Sequence, residues 1–375
     1  MRLLILFVTL TFGTVLAVPS RPFNTPHENR TLIVMVAPSI WDEHYREDFF
    51  DIINFQLDLA KTIHEHENVV MIADKHTMPF LDGRVKSMSE KRLPYDSLIE
   101  TNFYDPNVHD YAPMGAKSFV KFVYRTSEYA DLNAKQVDDG MNDFLMENHI
   151  RVDKREPEMA LSARDIVDNG INKAIISKSV IRLNDGKVPD WAVMAKLLNA
   201  FKKNPRYSYN HSDFQVVAIS HPERHQSSRF DDLLAFIDED ILAVSALNEK
   251  ERATVESELF LKFRSEVMLV DLPASGTLRE GTCGIYTAAL ITNKFVYLPV
   301  YGSDPNNWAY GFSTMLDKMV LHMIEANTRK KVVPISVPRA FCRRGLSLKS
   351  IAWTVRGHSA DQIISIPRRR FAAFT

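Results

Sequence analysis

The chain has 375 residues, of which 45% are hydrophobic and 25% are charged. This composition is typical of a globular protein, and the length suits one large domain or two domains of ordinary size. The formal net charge of −1 excludes the strong basic bias that favours nucleic acid or an anionic membrane surface as a partner.

The first 17 residues have the pattern of a secretory signal peptide. Arg2 precedes an apolar run that starts at Leu3, and small residues follow up to Ala17. The run is shorter than the ~18 uninterrupted apolar residues of a membrane-spanning helix, and no later stretch reaches that length. We therefore predict a signal peptide over residues 1–17, an extension over residues 18–30, and a secreted mature chain with no membrane span.

The sequons and cysteines agree with an extracellular location. Asn29 and Asn210 each begin an N-x-S/T sequon and are candidate glycosylation sites. Cys283 and Cys342 are the only cysteines, and in an oxidising compartment the simplest prediction is one disulfide; two buried free thiols are the alternative. Two cysteines without nearby paired histidines offer too few ligands for a metal, so no metal site is predicted.

Short apolar runs alternate with helical stretches from residue 31 onward. The run Leu32–Val36 predicts a buried strand, and the spacing of apolar residues predicts a helix within residues 42–66. Further helices are predicted over residues 138–149 and 190–204. The remaining apolar runs predict strands, at residues 68–74, 119–125, 172–181, 214–220, 240–247, 265–272, 286–293, 294–300 and 331–337.

The last predicted element is a turn after Arg343 that leads into a short apolar strand, with Lys349 and Ser350 side by side within the strand. Because no low-complexity linker divides the chain, we predict one α/β domain over residues 31–366 and a basic tail over residues 367–375. No G-x-G-x-x-G, P-loop, H-E-x-x-H or G-x-S-x-G pattern is present, so no cofactor is predicted.

Four segments, taken in chain order, resemble the guanidino-group hydrolases, which include the agmatine deiminases and the bacterial-type peptidylarginine deiminases. Residues 108–115 are similar to the family's x-R-D-Y-G-P segment, and residues 229–236 to H-V-D-N-L-A-x-F. The strongest match is residues 283–304, similar to Y-T-N-x-L-I-x-N-x-x-V-x-V-P, and residues 343–354 are similar to G-G-N-I-H-C-I-T. The resemblance implies a pentein-like fold, a five-fold pseudosymmetric α/β propeller in one domain with the site at its centre.

Hydrolysis of a guanidinium group needs carboxylates that bind the planar cation, a nucleophile, and a proton donor. Asp110 and Asp231 match the family's two guanidinium-binding aspartates and are the predicted substrate-binding residues. Arg229 stands where the family has its acid–base histidine, and arginine stays protonated, so it cannot transfer the proton. We expect Arg229 to pair with Asp231 or Asp110 and to fill the position of a substrate guanidinium.

The resemblance places Ser350 at the position of the nucleophilic cysteine. A serine hydroxyl needs a general base, and the neighbouring Lys349 points to the opposite face of the predicted strand. The family's L-E-G-G segment reads here as residues 161–164, without the acidic residue or the glycines. The prediction is therefore a secreted, catalytically inactive deiminase-like protein that binds a guanidinium-bearing ligand or an arginine-bearing protein through Asp110 and Asp231.

Two alternatives stay open at the level of sequence. The first is an active agmatine or peptidylarginine deiminase with rearranged catalytic residues, in which Cys342 or Ser350 is the nucleophile and His225 or His109 is the base. The second is a structural or interaction glycoprotein that retains no pocket. The sequence does not fix an oligomeric state.

Overall fold

The computed structural model describes residues 31–115, 119–125, 131–152, 154–184, 190–202, 214–220, 229–245, 247–273, 281–302 and 312–372. The strands are β1 (Thr31–Val36), β2 (Asn68–Ala73), β3 (Leu98–Glu100), β4 (Val120–Val123), β5 (Lys154–Ala160), β6 (Ile166–Asp168), β7 (Lys173–Ser177), β8 (Gln215–Ile219), β9 (Leu234–Asp238), β10 (Ile241–Val244), β11 (Met268–Asp271), β12 (Leu290–Ile291), β13 (Phe295–Val300), β14 (Lys331–Ser336) and β15 (Ala352–Arg356).

Helices connect most of these strands. The α-helices are α1 (Phe49–His64), α2 (Met78–Leu81), α3 (Val108–Tyr111), α4 (Asp131–Glu147), α5 (Ser179–Leu183), α6 (Asp190–Lys202), α7 (Glu249–Phe263), α8 (Phe312–Ala326), α9 (Arg339–Arg343) and α10 (Gly357–Ala372). Short 3-10 helices cover Lys86–Lys91, Tyr95–Ser97, Ala163–Asp165, Phe230–Asp232 and Tyr286–Ala288.

Within the described residues the strands form five sheets, and the same unit recurs in them. The strand orders are β15-β1-β2-β3, β4-β5, β6-β7-β8, β9-β10-β11 and β12-β13-β14. In four sheets an antiparallel pair is followed by a parallel pair: β15/β1/β2, β6/β7/β8, β9/β10/β11 and β12/β13/β14. In the fifth sheet, parallel β4 and β5 are preceded by one antiparallel bridge between Met114 and Val120.

Each parallel pair is joined by a helical crossover, which parallel strands require because a tight turn cannot connect them. The crossover helices are α1, α4, α6, α7 and α8, one for each unit. Helix α1 buries Phe49, Ile53 and Leu57 against a core that also contains Met35 and Met71 from β1 and β2. The predicted mixed α/β class in a single domain is therefore confirmed.

Several predicted elements need correction. The helix predicted within residues 42–66 begins at Phe49, because the preceding residues form turns in which the Asp42 carboxylate accepts the His44 N–H. The strand predicted at residues 172–181 ends at Ser177 and is followed by α5. Helices α7, α8 and α10 were not predicted, and α10 runs to Ala372, into the predicted tail.

The predicted disulfide is confirmed. Cys283 and Cys342 are bonded, with Cα atoms 4.9 Å apart, and both residues are buried. The bond ties α9 to the segment just before Tyr286–Ala288. No described helix is long and apolar enough to cross a membrane. The signal peptide, the extension and the sequon residues Asn29 and Asn210 lie outside the described residues.

Candidate functional site

Five short segments meet at one place in the fold. Each lies directly before the antiparallel strand or bridge that opens its unit, so the repeated unit brings equivalent points of the chain together. The segments are α3, the 3-10 helices Ala163–Asp165, Phe230–Asp232 and Tyr286–Ala288, and the turn at residues 347–351.

Hydrogen bonds connect neighbouring segments and fix their relative positions. The four bonds given next all have a backbone carbonyl as acceptor, so they hold the main chain of the segments that carry the site's side chains. The pairs are Ser162 Oγ to the Asp110 carbonyl (3.1 Å), the Thr287 hydroxyl to the Asp232 carbonyl, the Lys349 N–H to the Ala288 carbonyl (3.3 Å), and the His109 N–H to the Ser350 carbonyl (3.0 Å).

The Arg229 guanidinium lies between the two carboxylates that the sequence singled out. Its Nη1 and Nη2 donate to Asp110 Oδ2 and Oδ1 at 2.7 and 2.6 Å. Its Nε and Nη2 donate to Asp231 Oδ1 and Oδ2 at 3.2 and 3.1 Å. The side chains are 7%, 2% and 1% exposed for Arg229, Asp110 and Asp231. The expected pairing therefore occurs with both aspartates at once.

The charges of this cluster support one another. Burial alone would lower the pKa of Arg229, but Asp110, Asp231 and Asp232 outweigh it and hold that pKa above its ordinary value. Burial would raise the pKa of Asp231, but Arg229, Lys349 and His109 lower it below the usual range. Both groups are therefore charged near neutral pH, and each hydrogen bond between the guanidinium and the carboxylates is charge-assisted.

Two further side chains, His109 and Lys349, contact Asp231. His109 Nε2 lies 3.6 Å from Asp231 Oδ2, and burial lowers the pKa of His109 against the opposing pull of Asp231 and Asp110. Lys349 Nζ donates to the carbonyls of Asp231 and Leu234. Burial lowers the pKa of Lys349 as well. His109 and Lys349 also line a cavity of about 160 Å³ that extends along the first strands of the units.

The sequence predicted Ser350 within a strand, but Ser350 lies before β15, which begins at Ala352. It is fully buried in the turn before that strand, and its hydroxyl bonds within the turn. Ser347 N–H donates to Ser350 Oγ at 2.9 Å, and Ser350 Oγ donates to the Ser347 carbonyl at 3.2 Å. The opposite-face interpretation of Lys349 and Ser350 is therefore wrong in its geometry, since neither residue belongs to a strand.

The segment at residues 161–165 contributes a helix cap and a buried carboxyl group to the site. Ser162 Oγ accepts the Arg164 N–H at 3.4 Å and so caps the short helix that follows. Burial raises the pKa of Asp165 to about 6, and Asp110 and Asp231 add to this against the opposing Arg164. The contacts of Ser162, Thr287 and Asp165 at the site were not predicted, although Ser162 and Thr287 lie within segments that resemble family motifs.

The other candidate residues have clear outcomes. Both sulfur atoms are consumed in the disulfide, so the alternative that uses Cys342 as a nucleophilic thiol is wrong. His225 lies outside the described residues. Among the residues that the structure describes, no group of three or more His, Cys, Asp or Glu side chains could hold a metal ion.

Comparison with known proteins identifies the class of fold. No protein-family model matches the chain, and no curated protein matches it in sequence. Among solved structures, the fold is shared with agmatine deiminases and with a putative peptidyl-arginine deiminase.

The agmatine deiminase of C. jejuni gives a TM-score of 0.66 at 14% identity, covering 88% of this chain and 94% of that chain. A substrate-bound cysteine-to-serine variant of the C. jejuni enzyme gives 0.64 at 15% identity, with the same coverage. The agmatine deiminase of Enterococcus faecalis gives 0.62 at 15% identity, again over 88% and 94%. The predicted resemblance is thereby confirmed for the fold.

Proposed function

We propose that this chain is a secreted, deiminase-like protein that has lost turnover and acts by binding. Its domain is a five-fold pseudosymmetric propeller. Five repeated units, whose opening segments meet and are linked by hydrogen bonds, support that architecture. The fold shared with agmatine deiminases supports descent from a guanidino-group hydrolase. Fold alone does not establish activity, so the proposal that turnover is lost depends on the residues of the site.

The observation that carries the proposal is the state of Ser350. A nucleophilic hydroxyl needs a base that accepts its proton. The Ser350 hydroxyl instead donates to one group of Ser347 and accepts from another, and these are its hydrogen-bond partners within the described residues. Its proton is directed at a backbone carbonyl, which cannot act as a general base.

The rest of the site agrees with lost turnover. Arg229 occupies the position of the acid–base histidine and remains charged, so it offers no proton transfer at neutral pH. His109, the remaining described candidate base, lies 3.6 Å from Asp231 and contacts Ser350 through its backbone N–H. The Ser350 hydroxyl bonds to Ser347 and not to the His109 ring, so the described geometry contains no Ser350–His109 couple.

The proposed partner is a guanidinium-bearing ligand or an arginine-bearing protein, and where it could bind depends on Arg229. Asp110 and Asp231 already hold Arg229 through four hydrogen bonds. A ligand at these carboxylates would have to displace that side chain. Binding at another surface needs no displacement.

Turnover assays test the proposal directly. The secreted full-length chain is incubated with agmatine, free arginine and a peptidylarginine substrate, and released ammonia, citrulline and carbamoylputrescine are measured. We expect product only at the level of the no-protein blank, with Ser350→Ala indistinguishable from the wild type. Turnover that Ser350→Ala or His109→Ala abolishes would show that the protein is an active hydrolase.

A further inference from the structure

A groove of about 730 Å³ lies between α4 and the loops that follow β1 and β3. We propose that this groove is a docking site for an extended, basic segment of a partner protein. None of the described residues that line it belongs to the five segments that meet around Asp110, Arg229 and Asp231. The inference therefore goes beyond the proposed function, and it does not depend on whether turnover is lost.

The fold places this groove at the carboxyl edge of a parallel sheet. Strands β1, β2 and β3 run parallel. The groove takes residues 41–45 from the loop after β1, and residues 100–105 from the end of β3 and the loop after it. Loops at this edge of a parallel sheet leave crevices in which α/β proteins commonly bind ligands. Helix α4, from the next unit, supplies the other lining residues.

Helix α4 gives the groove its length. Its lining positions run from Asn133 to Glu147, a rise of 14 residues that spans about 21 Å along the helix axis. Six residues of extended polypeptide span about 20 Å, so a segment of this size matches the groove. Phe103 and Phe144 are its buried apolar part, and their rings pack edge to face with centroids 5.7 Å apart.

Carboxylates dominate the charge of the groove. Its acidic lining residues are Asp42, Glu43, Glu100, Asp105, Asp143 and Glu147. Among the described residues that line it there is no lysine or arginine. The whole chain has a formal net charge of only −1, so this is a local concentration of negative charge. Charge complementarity therefore selects a partner with several positive charges.

Aromatic and carboxamide side chains in the groove favour a peptide over a smaller cation. Trp41 and Tyr104 are 66% and 44% exposed, and their rings can hold ammonium groups through cation–π contacts. Asn102, Asn133 and Gln136 also line the groove. A carboxamide both donates and accepts hydrogen bonds, as a peptide backbone does. A protonated polyamine has donors only, so it would use the charges of the groove without its full hydrogen-bonding capacity.

The experiment measures the binding of fluorescein-labelled hexalysine to the full-length secreted chain by fluorescence anisotropy. Hexalysine has no guanidinium group, which separates this groove from the carboxylates around Arg229. We expect saturable binding that weakens at least about tenfold when NaCl is raised from about 0.05 M to about 0.5 M. Hexaglutamate should not bind. Spermine should compete at least about tenfold more weakly than unlabelled hexalysine, because it makes no backbone hydrogen bonds.

Two variants test the groove directly. Asp143→Asn/Glu147→Gln removes two exposed charges from α4 and should weaken hexalysine binding at least about fivefold. Trp41→Ala should weaken it about threefold. These side chains are exposed, so both variants should keep the wild-type Tm. The matched control is Asp139→Asn/Glu325→Gln, which makes the same change in net charge at exposed helical positions outside the groove. It should retain wild-type affinity.

Three results would overturn the inference. They are a wild type that does not bind hexalysine saturably, a control variant that loses as much affinity as Asp143→Asn/Glu147→Gln, and spermine that competes as well as hexalysine, which would assign the groove to a small polyamine. Each readout is binding at this groove, so a wild-type chain that shows turnover would contradict the proposed function separately.

Discussion

Arg229 and Asp110, which are 119 residues apart in the chain, form a bidentate ion pair in which Nη1 donates to Oδ2 at 2.7 Å and Nη2 donates to Oδ1 at 2.6 Å. The pair is buried, and Arg229 also donates two hydrogen bonds to Asp231. Removing Asp110 therefore takes two charge-assisted hydrogen bonds from a buried guanidinium that keeps a second carboxylate partner.

Asp110→Ala should therefore lower the free energy of unfolding by about 1.5–3 kcal/mol, measured by urea denaturation, because Arg229 keeps its bonds to Asp231. Arg329→Ala, which breaks a solvent-exposed pair with Asp238, should change it far less. Equal losses in the two variants would mean that the Arg229–Asp110 pair is no more important to stability than a surface contact.

Ser350→Ala should be a stability variant rather than an activity variant. It removes the acceptor of the buried Ser347 N–H, and an unsatisfied buried donor costs about 1–3 kcal/mol. Chemical denaturation gives the value, and the exposed Ser87→Ala serves as the control. A Ser350→Ala chain as stable as wild type would show that the turn does not depend on this hydroxyl.

The disulfide should stabilise the fold through the length of the loop it closes. Cys283 and Cys342 are 59 residues apart, for which the chain-entropy relation gives about 4 kcal/mol at 25 °C. The double change Cys283→Ala/Cys342→Ala should lower Tm, and reductant should lower the wild-type Tm to a similar value without affecting the double variant. A reductant effect on the double variant would contradict this origin.

Asp165 should make the protein less stable as pH rises from about 4 to about 6. Burial raises the folded-state pKa of Asp165 from 3.8 to about 6, so in this window the folded chain keeps a proton that the unfolded chain has released. The free energy of unfolding then falls with increasing pH, by about 2–3 kcal/mol for this group.

The comparison that isolates Asp165 is Asp165→Asn against wild type across this window. Asp105, whose pKa burial also raises to about 6, contributes equally to both chains and cancels. Asp165→Asn should gain stability relative to wild type as pH rises. Asp139→Asn, at an exposed position, should track the wild type, and a constant difference for Asp165→Asn would rule out the assigned titration.

The sequence predicted much of the fold because the crossover unit leaves a local signal. The predicted strand Leu32–Val36 is β1 within one residue, and the helix predicted at residues 190–204 is α6, Asp190–Lys202. Helix α7 was missed because its apolar face is narrow. Its capping box, Asn248 with Glu251, was a readable start signal.

The site was predictable only where a motif resembles a known family. Asp110, Arg229 and Asp231 were found in this way, and their mutual contacts followed from charge. The contribution of Ser162, Thr287 and Asp165 depends on five segments meeting, which no local pattern encodes. The strand predicted through Ser350 was wrong because apolar content does not distinguish a buried turn from the strand after it.

Because Arg229 belongs to the same chain as Asp110 and Asp231, it affects how well a dissolved cation can compete for these two carboxylates. A tethered group competes at an effective concentration set by its attachment, which reaches the millimolar range even for flexible linkers and is higher for a residue fixed beside its target. A dissolved guanidinium at micromolar concentration would therefore compete poorly with the Arg229 side chain for Asp110 and Asp231.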